Sequence, residues 1–390
     1  MSALKYWLWL SSLKQLSPSG VISLIDTFGT PENVFFAENA ELRASGVLGK
    51  RQMEEIAPRS LDAAERILEQ CGQLSLRVMT LQDADYPERL KNIHTPPSVL
   101  YIKGRLPMID EEAALAVVGA RKATAYGLQA ANRLSYGLAR AGMLIVSGLA
   151  EGIDAAAHSG ALQAGSSTVA VLGCGADIVY PAKNRRLYED IAAVGALVTE
   201  YPPGIRPLGG HFPARNRIIS GFSLGTMVVE AGEKSGALIT VRHALEQGRD
   251  VFAAPGNIDV PESVGSNQLL REGAQIVTEP ADVLREYAAR FPHKIAASQS
   301  PAPPADNGKD TTTKETLSAP PHVFDLGEAI RDLPPESKAI MIALASSDRH
   351  VDEIIEQTGM PASQALRELT MLELSGAVRA LPGKRFAINS

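Results

Sequence analysis

Leu144-Ile-Val-Ser147, the turn Gly148-Leu-Ala-Glu-Gly152 and the helix-forming stretch from Ile153 to Ala164 decide how this chain is read. The opening run is apolar without alternation, so the strand it forms is covered on both faces. A glycine-bearing turn follows, and then a helix. The unit repeats on either side. Leu115-Ala-Val-Val118 runs into Gly119-Ala120-Arg121, with a helix over Gly127 to Ala141. Thr168-Val-Ala-Val-Leu172 runs into Gly173-Cys174-Gly175. Further strand runs stand at Arg77 to Leu81, Val99 to Ile102, Ala196 to Tyr201, Thr226 to Ala231, Val251 to Ala254 and Gln275 to Val277. Strands alternating with helices predict an α/β fold, an extended Rossmann-like, doubly wound and mostly parallel sheet. Ligands of such sheets bind at the carboxyl ends of the strands, where these turns gather.

Several of those turns suit an anion. Gly119 and Arg121 end one strand, Gly148 the next, and Gly173 a third. Tyr180-Pro-Ala-Lys183-Asn184 follows. Phe212-Pro-Ala-Arg215-Asn216-Arg217 comes next, and Lys234-Ser235-Gly236 feeds a helix at about Ala237. Guanidinium forks match phosphate oxygens, and helix-start N–H groups add partial positive charge. On a chain of net charge −6, this is a local cationic groove on an acidic body. With Phe212 and Tyr180 available for stacking, it suits single-stranded nucleic acid better than a mononucleotide.

The flanks differ in texture. Residues 1–72 read as small helices broken by glycine turns, similar to a sterile-alpha-motif or helix-hairpin-helix module, and 73–292 hold the sheet. Residues 293–335 include a stretch rich in Pro, Ser, Thr, Ala and Asp that reads as a flexible linker. Residues 336–390 read as a winged helix: helices over Ala339 to Leu344, His350 to Thr358 and Ala362 to Leu374, then a hairpin. Leu366, Leu369 and Leu372 are expected inward. Six basic residues there face seven acids, so the unit is read as a protein-contact module rather than a duplex reader.

Other chemistries lack their residues. Gly221-Phe-Ser-Leu-Gly225 spells a hydrolase elbow, but the strand follows the serine instead of preceding it. Gly173-Cys-Gly175 lacks the third glycine of a dinucleotide site, and no phosphate-loop lysine pattern is present. No C-x-x-C or H-x-x-x-H spacing suggests a metal. No catalytic group, cofactor or metal is expected. Asp154 and His158, four residues apart on one helix, are either an acid–base couple or a structural hydrogen bond. Cys71 and Cys174 form no disulfide framework, and the apolar Tyr6 to Leu10 run is too short for a membrane span. A cytoplasmic location is expected.

Taken in order, Ser147-Gly-Leu-Ala-Glu-Gly-Ile-Asp154 with His158, Gly173-Cys-Gly-Ala-Asp177 with Tyr180-Pro181 and Asn184, Phe212-Pro-Ala-Arg-Asn-Arg-Ile-Ile219 and Ser235-Gly-Ala-Leu-Ile-Thr240 closely resemble the DNA-processing protein A family (DprA, also Smf). Gly248-Arg249-Asp-Val-Phe252 and Gly265-Ser-Asn267 extend the resemblance, which is dense from Leu76 to Leu284. Ser220, Phe222 and Ala237 depart from the usual residues. The resemblance implies a homodimer that binds and protects single-stranded DNA and helps load the RecA recombinase during natural transformation. It implies Arg121 and Lys183 as phosphate clamps, with Arg215, Asn216 and Arg217 lining or bracing the pocket. It implies close backbone approach at Gly148, Gly173, Ser235 and Gly236. Arg217 is alternatively a buried structural arginine. A second reading stays open: a phosphoribohydrolase-like enzyme acting on nucleotides, with Glu230 as its acid.

Overall fold

Six short helices open the chain: α1 Ser2–Ser12, α2 Pro18–Phe28, α3 Pro31–Phe36, α4 Asn39–Ala44, α5 Lys50–Ile56 and α6 Asp62–Gln73. Local chemistry sets their starts. Ser17 accepts the Gly20 N–H ahead of Pro18, and Thr30 accepts the Asn33 N–H ahead of Pro31. The computed structural model describes residues 2–295, 334–344, 349–374, 377–381 and 385–388. Trp7, Leu8, Trp9 and Leu10 of α1 are buried, in one cluster with Val99, Tyr101, Leu172, Tyr188 and Leu197. The helical segment therefore shares a core with the sheet, and residues 1–303 form one compact unit.

That unit continues as β1 Arg77–Thr80, α7 Glu88–Lys91, β2 Val99–Gly104, β3 Ala114–Val118, α8 Ala125–Arg140, β4 Leu144–Ser147, α9 Ile153–Gln163, β5 Thr168–Val171, α10 Arg185–Val194 and β6 Ala196–Thr199. It ends as α11 His211–Gly221, β7 Gly225–Val228, α12 Ala237–Glu246, β8 Asp250–Ala253, α13 Val264–Arg271, β9 Gln275–Ile276 and α14 Pro280–Tyr287. The strands form one sheet in the order β1-β2-β6-β5-β4-β3-β7-β8-β9. From β6 to β9 every neighbour is parallel, while β1 with β2 and β2 with β6 are antiparallel. Each expected strand run holds a strand. Strands β3 to β7 are buried along their whole length, the reason their sequences do not alternate. The chain winds outward from β3 through β4, β5 and β6, then returns to β7 on the other side of β3. The strand order therefore reverses between β3 and β7.

Helices α10 and α11 were not legible as such, and no helix was expected at α7, α13 or α14 either. Tyr180-Pro181 does halt the chain, but α10 starts five residues after Tyr180. The Arg-Asn-Arg triplet expected in a turn sits inside α11, whose Pro213 falls in the first turn, where proline costs nothing.

Residues 304–390 make up the second unit. It holds α15 Pro335–Ala343, β10 Arg349–His350, α16 Val351–Thr358, α17 Ala362–Leu374, β11 Val378–Leu381 and β12 Arg385–Ile388. The strands pair as β10-β12-β11, the layout of a winged helix. Ile340, Met341, Ile354, Leu369 and Leu372 form its core. Leu366 departs from expectation: it is half exposed, because only one stripe of α17 meets the other helices. Most of the linker expected over 293–335 lies outside the described residues. No helix among the described residues is long and apolar enough to cross a membrane.

Candidate nucleic-acid interface

A groove of about 740 Å³ opens where the strand order reverses, at the carboxyl ends of β3 and β7. Val118 to Lys122 form one bank, Gly232 and Lys234 to Gly236 the other, and Phe212, Pro213, Arg215 and Asn216 of α11 the floor. A side hollow of about 250 Å³ shares Arg121, Lys122, Tyr180 and Phe212 with it and reaches Gly148, Glu151 and Gly173. The Arg121 guanidinium lies 5.1 Å from the centre of the Phe212 ring. Tyr180 stands 5.4 Å from Phe212 at 33° and is 41% exposed, so a flat face remains open for stacking. Arg121, Lys122 and Lys234 are exposed and have no ion-pair partner among the described residues.

The other predicted cations are placed differently. Lys183 is exposed but pairs with Glu151 at 2.5 Å. Arg215 is buried; its Nη1 donates to the Gly148 carbonyl at 2.8 Å and to the Val171 carbonyl. Burial first, then the neighbouring Arg121 charge, outweigh the attraction of Asp154 and bring its pKa down to about 10. It presents an edge to the groove while its Nη1 ties the turn after β4 to the end of β5. Arg217 faces away. Its two terminal nitrogens reach the Glu200 carboxylate at 2.8 and 2.6 Å, and Nε donates to the Thr95 carbonyl at 2.9 Å. It is the buried structural arginine of the alternative reading. Asn216 ties the floor to one bank, accepting from Arg215 Nε at 3.3 Å and donating to the Gly236 carbonyl at 3.4 Å.

Asn184 acts through the backbone. Its amide donates to the carbonyls of Leu149 and Ala150 at 3.0 and 3.3 Å. Leu149 sits at φ 56°, a left-handed conformation that costs a branched residue energy, and Asn184 holds it there. The glycines also divide. A Cβ on Gly148 would meet the Arg215 guanidinium, and one on Gly173 would lie 2.8 Å from the Phe212 ring. One on Gly119 would meet Ile153, whereas at Gly236 the space is open. Close approach by a ligand is therefore available at Gly236, and the other three make room for side chains of the protein. Ser235 Oγ accepts from the Ala237 N–H at 3.3 Å, starting α12.

Asp154 and His158 make no bond with each other. Asp154 accepts the Gly148 and Ala150 N–H groups at 3.2 and 3.4 Å, and burial raises its pKa against the pull of Arg215. His158 Nδ1 meets Thr168 Oγ1 at 2.8 Å, and that hydroxyl donates onward to the Ile145 carbonyl at 2.7 Å. The proton therefore sits on Nδ1, and the buried Nε2 has no partner. Glu230 is buried at the end of β7. It accepts from Thr124 N at 3.0 Å and Thr124 Oγ1 at 2.7 Å, fixing the start of α8. Among the described residues no group of three or more His, Cys, Asp or Glu is placed to hold a metal ion. Lys122 and Glu262 line the groove and were not foreseen. Lys122 had a signal, a second cation in the Gly-Ala-Arg-Lys turn; Glu262 had none.

Comparisons with known proteins point to one family. A family model described as DNA recombination-mediator protein A matches residues 77–288, and one described as DprA winged helix domain matches 325–384. Protein Smf of Synechocystis sp. is 36% identical over 389 residues, 98% of either chain. DNA processing protein DprA of Streptococcus pneumoniae is 45% identical over 208 residues, 53% of this chain and 73% of its own. The X-ray structure of the S. pneumoniae protein superposes with a TM-score of 0.63 at 37% identity, over 72% of this chain and 96% of that one. The Helicobacter pylori protein, whose structure concerns its single-stranded DNA binding mode, gives 0.51 at 30% identity, over 56% and 99%.

Proposed function

This chain belongs to the DNA recombination-mediator protein A family, and from that premise we propose that it binds single-stranded DNA in the groove at the β3–β7 crossover. There it protects incoming DNA and helps load the RecA recombinase during natural transformation, as a cytoplasmic homodimer. The observation that carries the reading is the trio Arg121, Lys122 and Lys234: three exposed cations on opposite banks, without acidic partners, over an aromatic wall. Successive phosphates lie on the cations, and bases stack on Tyr180 and Phe212. The open backbone at Gly236 lets the strand come close. Lys183 joins by exchanging Glu151 for a phosphate, since an exposed pair is worth only about 0–1 kcal/mol. Gly148, Gly173, Asn184, Arg215 and Arg217 hold this surface in shape.

A nucleotide-cleaving enzyme would need an acid free to act at the groove, and Glu230 is the one that the sequence offers for such chemistry. Both oxygens of Glu230 are occupied by Thr124, and this favours a non-catalytic binder. Fluorescence anisotropy of labelled oligo-dT and the matching duplex across a salt series tests the reading. Tight single-strand binding with a steep salt slope, flattened by Arg121→Ala, is expected. Equal, feeble binding to both would refute it. Release of base or ribose phosphate from AMP would return the chain to the enzymes. Faster RecA filament growth on protein-coated single strands tests the loading step.

A further inference from the structure

A second hollow, of about 420 Å³, lies at the other end of the sheet. Its lining precedes the strands: Asp110 stands before β3, Leu224 before β7, and Gln247 and Arg249 before β8. A strand of four or five residues separates it from the groove, about 15 Å, so one nucleotide cannot touch both.

Three arginines face this hollow, Arg89, Arg249 and Arg290. Four of the five guanidinium N–H groups of Arg89 are engaged. Its Nε donates to Asp110 at 3.1 Å, Nη1 to the Phe222 carbonyl at 3.2 Å, and Nη2 to the Asp110 and Glu112 carbonyls at 3.1 Å each. Asp110 also accepts the Glu88 and Arg89 N–H groups, and its carboxylate and that of Glu88 stand in the lining beside the arginines. Arg249 is less engaged. Its Nη2 reaches the Arg89 carbonyl at 2.8 Å, but its Nε is buried and has no partner. The Gln247 side-chain oxygen beside it is buried and has no partner either. Arg290 is exposed, its guanidinium 5.4 Å from the centre of the Phe291 ring, and it has no ion-pair partner among the described residues. The arginines also repel one another: the charge of Arg290 lowers the pKa of both Arg89 and Arg249, although burial is the larger cause in each. A buried donor, a buried acceptor and a lining of three arginines against two carboxylates, Glu88 and Asp110, are costly unless a ligand answers all three.

We propose that this hollow is a phosphate site, in which a protonated phosphate or a hydroxyl-bearing phosphate ester accepts from Arg249 Nε and Arg290 and donates a hydroxyl to Gln247 Oε1. Hydrogen phosphate carries both kinds of group, whereas chloride offers no donor. The site is independent of the DNA groove.

The test is calorimetric titration of the full chain with inorganic phosphate at fixed ionic strength. Arg290→Glu removes an exposed side chain and leaves the core alone; Arg249→Lys keeps the charge and removes Nε. Each is expected to weaken phosphate binding about tenfold or more, the usual effect of losing a hydrogen bond to a charged group, with oligo-dT binding unchanged. Chloride should not compete. A 5′-phosphorylated dinucleotide that displaces phosphate would make a DNA end the source; no displacement would make it free phosphate, and both support the site. Absence of phosphate binding, or binding lost in Arg121→Ala but kept in Arg290→Glu, would overturn it.

Discussion

The guanidinium of Arg215 lies where a side chain on Gly148 would otherwise be. Nη1 donates to the Gly148 carbonyl at 2.8 Å, and a Cβ on that residue would fall 2.6 Å from Cζ. Arg215 is buried and cannot swing aside without losing the carbonyls of two strands. Gly148→Ala is therefore expected to destabilise the chain by about 3 kcal/mol, as when a buried charge loses its partners. The urea midpoint would show it; an unchanged midpoint would mean that Arg215 moves freely.

Arg121→Ala and Lys234→Ala should each lower the magnitude of the salt slope for single-strand binding by about 0.7, one phosphate contact apiece. An unaltered slope in a folded variant removes that residue from the DNA path.

Glu151 competes with DNA for Lys183 across their 2.5 Å pair. Glu151→Gln should tighten oligo-dT binding about two- to threefold at low salt and leave folding unchanged. Weaker binding by that variant would mean that the carboxylate positions Lys183 for the DNA.

Arg217 offers the opposite pattern. Arg217→Ala strands the Glu200 carboxylate in a nearly closed site and should cost about 3–5 kcal/mol of stability. The fraction that stays folded should bind DNA with unchanged salt slope. A flattened slope would place Arg217 on the DNA after all.

His158 links stability to acidity. Burial first, and Arg215 second, hold its pKa down at about 3, against about 6.5 in the unfolded chain. Between those values the unfolded chain takes up a proton that the folded chain refuses. Stability therefore falls as pH drops from 6.5 towards 3, by at most about 1.4 kcal/mol per unit from this group. Asp154, whose folded pKa is raised, acts in the opposite sense and is present in both proteins. His158→Gln should have the shallower fall in urea titrations between pH 6 and 4. Parallel curves would show that His158 is protonated in the folded state.

A chain ending at Pro303 retains the whole first unit and its groove. It should bind oligo-dT with nearly the affinity of the full chain. A large loss would assign DNA contacts to the winged helix.

The sheet was legible because a strand covered on both faces must be apolar throughout, and glycine turns announced the carboxyl ends of β3, β4 and β5. Helix α11 was hidden for a related reason. Arg215, Arg217, Ile218, Ile219, Ser220 and Gly221 are all buried, so no polar stripe marks its period. The identity of the groove residues was largely legible, but their division of labour was not. Whether an arginine binds a ligand or braces a loop depends on partners such as Glu200, Thr95 and Val171, which only the fold brings near. Lys183 and Lys234 look alike in sequence; an acid across the turn separates them.

Helix α1 carries both tryptophans of the chain, Trp7 and Trp9, each almost wholly shielded, with Phe35 edge-on to Trp9 at 5.0 Å. Neither lines the groove. Ultraviolet emission excited at the red edge thus comes from one spot in the first unit. It should shift to longer wavelength when the core opens and stay constant as oligonucleotide is added, giving an optical baseline for melting that ligand does not perturb. Tyr180, standing in the groove, contributes its quenching in a different spectral band.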